Sequence, residues 1–171
     1  MSVARQRPIV GILMGSDSDL PVMREAATVL KDSGVPHELR VLSAHRVPEA
    51  TARYAKQARA HGLKLLIAGA GGAAHLAGVL AAHTTLPVIG VPLTGTVFQG
   101  TDAFLATLQM PPGVPVATVS VGMRGAKNAG ILALQILALS DRRLTARLDQ
   151  MKRDLRAAVE AKDRALQRQV S

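Results

Sequence analysis

The chain of 171 residues has no cysteine and no tryptophan, one tyrosine and two phenylalanines. Without cysteine there can be no disulfide framework, no zinc site with thiolate ligands and no thiol nucleophile. The scarcity of aromatic rings argues against a nucleic-acid reader that stacks bases on an aromatic platform. Internal repeats, low-complexity linkers and dense Lys/Arg runs are missing. No apolar run long enough for a signal peptide follows Arg5 and Arg7 near the start. His, Asp and Glu nowhere fall at metal-ligand spacing, so no metal site is expected.

What is present fits a folded α/β domain. Apolar residues make up 48% and charged residues 19%, too apolar for a disordered chain. A chain of this length suits one domain, or one domain with a tail, and its core is large enough to need no covalent staples. The net charge of +9 favours anionic partners in general. It is shared between residues 1–140 and 141–171 and marks no single patch. Leu65 to Ala82 has His75 as its only ionisable group and just reaches the length of a membrane span. Four glycines inside it favour a strand, a glycine turn and a helix instead.

Hydrophobic patterning alternates between two periods. Ile9–Met14, Glu38–Leu42, Leu65–Ala68, Pro87–Val91 and Pro115–Val121 read as strands. Between them, helices are expected from Leu20 to Gly34, Pro48 to Arg59, Ala73 to Ala82, Phe98 to Leu108 and Ala126 to Leu139. Alternating strands and helices, with strands apolar on both faces, imply a parallel sheet covered on both sides. A last amphipathic helix is expected from Asp141 to about Arg168, N-capped by Ser140. Its apolar stripe is Leu144, Leu148, Met151, Leu155 and Ala158, and its wet side carries the i,i+4 pairs Asp149–Arg153 and Glu160–Arg164. The expected division is a catalytic part, residues 1–140, and a C-terminal helix, 141–171, belonging to the same domain or to an oligomer interface.

Ligands of open α/β sheets bind beyond the C-terminal ends of the strands. Three unusual segments fall there. Gly15-Ser16-Asp17-Ser18-Asp19 offers a close-approach glycine, hydroxyls and free backbone N–H groups suited to a phosphate, although one Ser or Asp must serve as N-cap. A carboxylate here can instead hold ribose hydroxyls. Ser43-Ala44-His45-Arg46 sets an imidazole, a proton carrier as a class, beside a guanidinium whose fork of donors matches phosphate oxygens; a structural role for the histidine stays open. Gly69-Ala70-Gly71-Gly72-Ala73-Ala74-His75 lets backbone approach a ligand closely and can hold a small carboxylate through N–H groups, or can simply be a tight turn. His75, three residues into the expected helix, is read either as a structural hydrogen-bonder or as a catalyst. His37, His61 and His83 are read as solvent-facing. Lys127, in a segment expected to open a helix, could approach an anion or be solvated, and is read in favour of a structural role or an oligomer contact.

Taken together, Met14-Gly15-Ser16-Asp17-Ser18-Asp19, Ser43-Ala44-His45-Arg46, Ala68 to Leu76, Gln109-Met110-Pro111 and Ala126-Lys127-Asn128-Ala129 resemble the class I N5-carboxyaminoimidazole ribonucleotide mutases of purine biosynthesis. The resemblance runs from about Pro8 to Leu139. It implies a flavodoxin-like, three-layer, doubly wound parallel sheet, with the C-terminal helix as an addition. It also implies a cytoplasmic homo-octamer acting on a small ribonucleotide, with no metal, organic cofactor, nucleic acid or membrane as partner. In that family the residues matching Ser16, Asp19 and Arg46 bind the ribonucleotide, and the one matching His45 transfers the proton. Ser18, Ser43, Ala70, Gly71 and His75 complete the expected substrate contacts. The related carboxylases, which use free CO2, typically carry Lys after the His and lack the Gly-Gly-Ala-Ala-His segment, so Arg46 and His75 favour the mutase. A non-enzymatic nucleotide or nucleic-acid binding module is the alternative from another class. Val47, Ala77 and the loop Leu93–Gln99 depart from the family's usual residues.

Overall fold

The computed structural model describes residues 7–170; Arg5 lies outside them. Five strands form one sheet in the order β2-β1-β3-β4-β5: β1 (Val10–Met14), β2 (His37–Val41), β3 (Leu65–Gly71), β4 (Val88–Leu93) and β5 (Ala117–Thr118). Every neighbouring pair is parallel. Six helices accompany them: α1 (Leu20–Asp32), α2 (Pro48–Gln57), α3 (Leu76–His83), α4 (Thr101–Leu108), α5 (Gly122–Ala138) and α6 (Arg142–Val170). This is the expected flavodoxin-like order, in which the chain steps outward from β1 to β2 and then reverses through β3.

The central strands are buried on both faces because helices cover both. Val10, Ile12, Leu13, Leu65, Leu66, Ile67 and Ile89 are wholly inaccessible. On one face, Gly130 of α5 lies against Ala26 and Val29 of α1. On the other, Leu13, Leu66, Ala68 and Val88 pack with Ala55, Leu76, Ala77 and Leu80 from α2 and α3. The two edge strands are the exceptions to strands apolar on both faces: Leu39 and Val41 of β2 are exposed, as is Ala117 of β5.

Several boundaries move for local reasons. The expected glycine turn at residues 69–72 is largely strand. Gly69 pairs with Val91 and Gly71 with Leu93, so β3 runs three residues further than expected. Helix α3 starts later because Gly72 (φ 61°) and Ala74 (φ 49°) are left-handed, a conformation that cannot continue a right-handed helix. His75 therefore stands at the N-cap of α3 rather than inside it. Gln99 and Gly100 are left-handed too and delay α4. Helix α5 begins at Gly122, and a Cβ on Gly125 would run into the Ser120 carbonyl. Lys127 thus lies within the helix, exposed, rather than at its opening. His37 is half-buried, its Nδ1 2.9 Å from the Val35 carbonyl, not solvent-facing as expected.

The chain divides into two compact units, one ending at Ala133 and the other beginning at Leu134. In the second, Asp141 rather than Ser140 caps α6, accepting from the Arg143 and Leu144 N–H groups at 2.9 and 3.4 Å. Of the expected apolar stripe only Leu144 is buried, and every described residue from 152 to 170 is exposed. Glu160 pairs with Arg164 at 4.0 Å as expected. Arg153 turns to Gln150 at 2.7 Å instead of Asp149. No helix among the described residues is long and apolar enough to cross a membrane, and residues 65–82 divide between β3, a turn and most of α3.

Glycines in the central strands are there because helices approach too closely for a side chain. At Gly69 a Cβ would meet the Met23 side chain; at Gly90 it would meet Thr107 and Val116. Met23 can swing, whereas the two β-branched side chains are stiff. Gly90→Ala should therefore cost about 1–3 kcal/mol and Gly69→Ala clearly less. Urea midpoints of the two variants check this, and equal losses would contradict it.

Candidate active site

The registers of β1, β2 and β3 place one cleft. Met14, the last residue of β1, is opposite Val41, the last of β2, and Gly69 near the end of β3. β4 ends level with Gly71. The connections leaving these four strands emerge along one edge, and between them lies a cleft of about 670 Å³. Ser16, Ser18, Asp19, Ser43, His45, Arg46, Ala70, Gly71 and His75, each expected from sequence, all line it. Sequence reasoning missed a fourth wall, Thr94, Gly95 and Thr96. The signal for it was available: these residues follow β4, which neighbours β3, and the strand-end rule applies to them equally.

The first connection is held by its own polar groups. Ser16 caps a single 3₁₀ turn, Asp17–Asp19, its side chain accepting from the Ser18 N–H at 3.3 Å. Asp19 returns the bond, Oδ2 accepting from the Ser16 N–H at 3.1 Å. Ser18 Oγ donates to Ser16 Oγ at 2.9 Å. This reciprocal capping satisfies N–H groups that the start of a helix leaves without partners. Partial burial pushes the Asp19 carboxyl above its ordinary range, against the Ser16 N–H bond and the Arg46 charge, which pull it down.

Arg46 crosses from the second connection to the first. Its Nη2 donates to the Gly15 carbonyl at 2.6 Å, and its backbone N–H donates to Ser43 Oγ at 3.2 Å. Arg46 is otherwise exposed and lines the cleft together with Ser16 and Ser18. The third connection brings a histidine to the second: His45 Nε2 lies 2.6 Å from His75 Nδ1, the rings nearly perpendicular with centroids 4.8 Å apart. One of these two nitrogens donates and the other accepts, the roles being set by the tautomers of the two rings. His75 reaches His45 only because the left-handed Gly72 and Ala74 turn the chain back before α3 begins.

The fourth connection is pinned from behind. Thr96 Oγ1 donates to Asp102 Oδ2 at 2.7 Å, and the Phe98 N–H donates to Thr96 Oγ1 at 3.2 Å. The Thr96 bond holds the Asp102 carboxyl below its usual range. Gly71 lies close under this loop: a Cβ there would be 3.3 Å from the Thr94 carbonyl. Among the described residues no cluster of His, Asp, Glu or Cys could hold a metal ion. The cleft thus brings together a guanidinium, hydroxyls, a half-buried carboxylate, a closely packed glycine strand end and two hydrogen-bonded imidazoles.

Comparison with known proteins agrees with this arrangement. The family model described as AIR carboxylase matches residues 9–158. The chain is 53% identical over 168 residues to the N5-carboxyaminoimidazole ribonucleotide mutase of Mycobacterium tuberculosis, covering 98% of this chain and 95% of that one. It is 48% identical over 167 residues to the mutase of Pyrococcus horikoshii, covering 98% and 93%. The crystal structure of Treponema denticola PurE superposes with a TM-score of 0.81 at 31% identity, covering 92% of this chain and 98% of that one. With its strand order, its converging connections and these matches over nearly its whole length, the chain belongs to the AIR carboxylase family.

Proposed function

We propose that the cleft at the carboxyl end of the sheet converts N5-carboxyaminoimidazole ribonucleotide to 4-carboxy-5-aminoimidazole ribonucleotide, an isomerisation in purine biosynthesis. The observation that carries this reading is the His45–His75 contact at 2.6 Å, in a pocket also lined by Arg46 and three serines, Ser16, Ser18 and Ser43. It supplies a movable proton next to an anion anchor.

The chemistry requires a carbamate N–C bond to break and a C–C bond to form at ring carbon C4. His45 protonates the departing nitrogen and CO2 is released. The cleft, with the substrate seated over it, keeps the CO2 beside C4, replacing a bimolecular encounter by proximity, an effect worth up to roughly 7–11 kcal/mol in favourable cases. C4 attacks the CO2 carbon. The C4 proton passes to His45, which restores the imidazole pair to its starting state. Backbone N–H groups about Ala70 and Gly71 hold the CO2 and the carboxylate it becomes. Arg46, Ser16 and Ser18 anchor the phosphate and Asp19 the ribose. Ser43 supports this indirectly by accepting from the Arg46 N–H.

Neither CO2-dependent carboxylation nor nucleic-acid binding is favoured. Supplying the protein with each carboxylase and mutase substrate in turn, and following carboxylated product by absorbance, separates the two reactions. The protein acts in the cytoplasm as a homo-octamer in this reading. Exposed Phe98, Leu155 and Val159 are the kind of apolar surface that subunit contacts cover. Residues 1–140 form the catalytic part and 141–171 a helix that contributes to those contacts.

Three variants test the assignments. His45→Asn keeps a polar group but cannot carry the proton, so kcat should fall by about 10²–10⁴ while calorimetric binding of the product ribonucleotide persists; near-normal turnover would refute the role. Arg46→Ala should raise KM by about ten- to a hundredfold, as loss of a charge-assisted phosphate contact implies, with a smaller change in kcat. An unchanged KM removes Arg46 from the anchor. For Asp19 the raised value sets the sign: its stabilising contribution is complete below the ordinary value of 3.8 and is lost as pH rises through the folded value. Asp19→Asn keeps an acceptor for the Ser16 N–H. Its melting temperature should equal or exceed that of the parent at pH 7, with the gap closing towards acid pH, while ribonucleotide binding weakens. A variant that melts lower at pH 7 contradicts this sign.

A further inference from the structure

A second concavity, of about 610 Å³, lies away from the cleft, at the free edge of the sheet. Edge strand β2, helix α2 and the segment entering β1 wall it. Its chemistry comes from Arg7, Glu38, Arg40, Arg53, Tyr54 and His61. Three guanidinium groups and an imidazole thus share it with one carboxylate.

That carboxylate is already engaged. Glu38 accepts from the Tyr54 hydroxyl at 2.8 Å and lies 3.9 Å from Arg40. Arg40 in turn lies over the Tyr54 ring, 5.9 Å from its centroid, a cation–π geometry that fixes where its charge points. Burial, with the Glu38 carboxylate beside it, pushes the Tyr54 phenol well above its usual range, so Tyr54 adds no negative charge. Among the described residues no carboxylate lies within ion-pair distance of Arg7 or Arg53. Glu49, one turn before Arg53 on α2, makes no pair with it. Two uncompensated guanidinium groups in a concave wall repel one another and raise the local concentration of anions. Their planar forks match phosphate oxygens, and the volume falls within the range of roughly 300–1,000 Å³ typical of small-molecule sites.

We propose that this groove is a second anion site, taking a small, multiply charged phosphate, distinct from the cleft that holds the ribonucleotide. The two are joined through the chain. Leu42 walls the groove and its neighbour Ser43 walls the cleft, so an occupant of the groove rests against the connection that carries His45 and Arg46.

Inorganic pyrophosphate is the probe, titrated calorimetrically into the full chain carrying Arg46→Ala, which weakens the cleft, and into the same chain with Arg7→Gln and Arg53→Gln added. Affinity should fall at least about tenfold between the two, as loss of charge-assisted contacts implies. A matching chain with Arg7→Lys and Arg53→Lys keeps the charge and should stay within about fivefold of the arginine form. In the parent, Arg53→Gln alone should leave turnover of the ribonucleotide unchanged without pyrophosphate. Tighter binding of ADP than of pyrophosphate assigns the groove to an organic phosphate, and equal binding assigns it to the free ion. Absence of pyrophosphate binding to the Arg46→Ala chain at millimolar concentration overturns the proposal, as does equal affinity in the arginine and glutamine forms. A loss in the lysine form as large as in the glutamine form also overturns it.

Discussion

The level at which the strands end is the constraint on which this molecule depends. Met14 is opposite both Val41 and Gly69, and Gly71 is opposite Leu93, so four connections leave the sheet along one line. Parallel pairing makes this possible because it puts every carboxyl end on the same edge. The topological reversal between β1 and β3 then sends successive connections to opposite faces and leaves a crevice between them. A slip of one residue in β3 would turn every side chain on it to the opposite face. Gly69 would then no longer accept Met23, and His75 would leave His45.

Close packing in the sheet and function at its edge are connected through glycine. Gly69 lets α1 approach by leaving room for Met23, and Gly90 does the same for α4 through Thr107. At the edge Gly71 allows the Thr94 loop to settle over the strand end, and Gly72, left-handed, sends the chain back towards His45. The same residue type serves compactness inside and reach outside, for the single reason that it has no Cβ.

In the cleft, the atoms proposed to bind the ribonucleotide also hold the connections together. Ser16 and Asp19 complete each other's hydrogen bonds at the start of the turn, yet they point into the volume where a ribonucleotide would sit. Arg46 ties two connections together through Gly15 and still presents donors to the pocket. Such groups are already oriented before a ligand arrives, which lowers the ordering cost of binding. The Asp19 carboxylate is held partly out of water, which raises its pKa against the Ser16 N–H bond and the Arg46 charge.

Alternating hydrophobic periods were enough to reveal the α/β class, and three loop motifs were enough to locate the candidate residues, because apolar runs and glycine-rich breaks are local properties of the chain. Boundaries at residues 69–75 were not legible: whether glycines form a turn or finish a strand depends on Val91 and Leu93 being there to pair with them. Thr94 to Thr96 lie in the loop Leu93–Gln99, which the sequence marked only as departing from its family; that they form a wall of the cleft became visible once β4 was placed beside β3. The exposed stretch of α6 beyond residue 151 likewise reads from its stripe as a docked helix. By itself, then, the sequence determined the order of elements, the chemistry available at each strand end and the absence of thiol chemistry. Only the tertiary structure decided that His45 and His75 meet ring to ring and that unpaired arginines gather at the β2 edge, because both depend on distances between segments far apart in the chain, which no local pattern encodes.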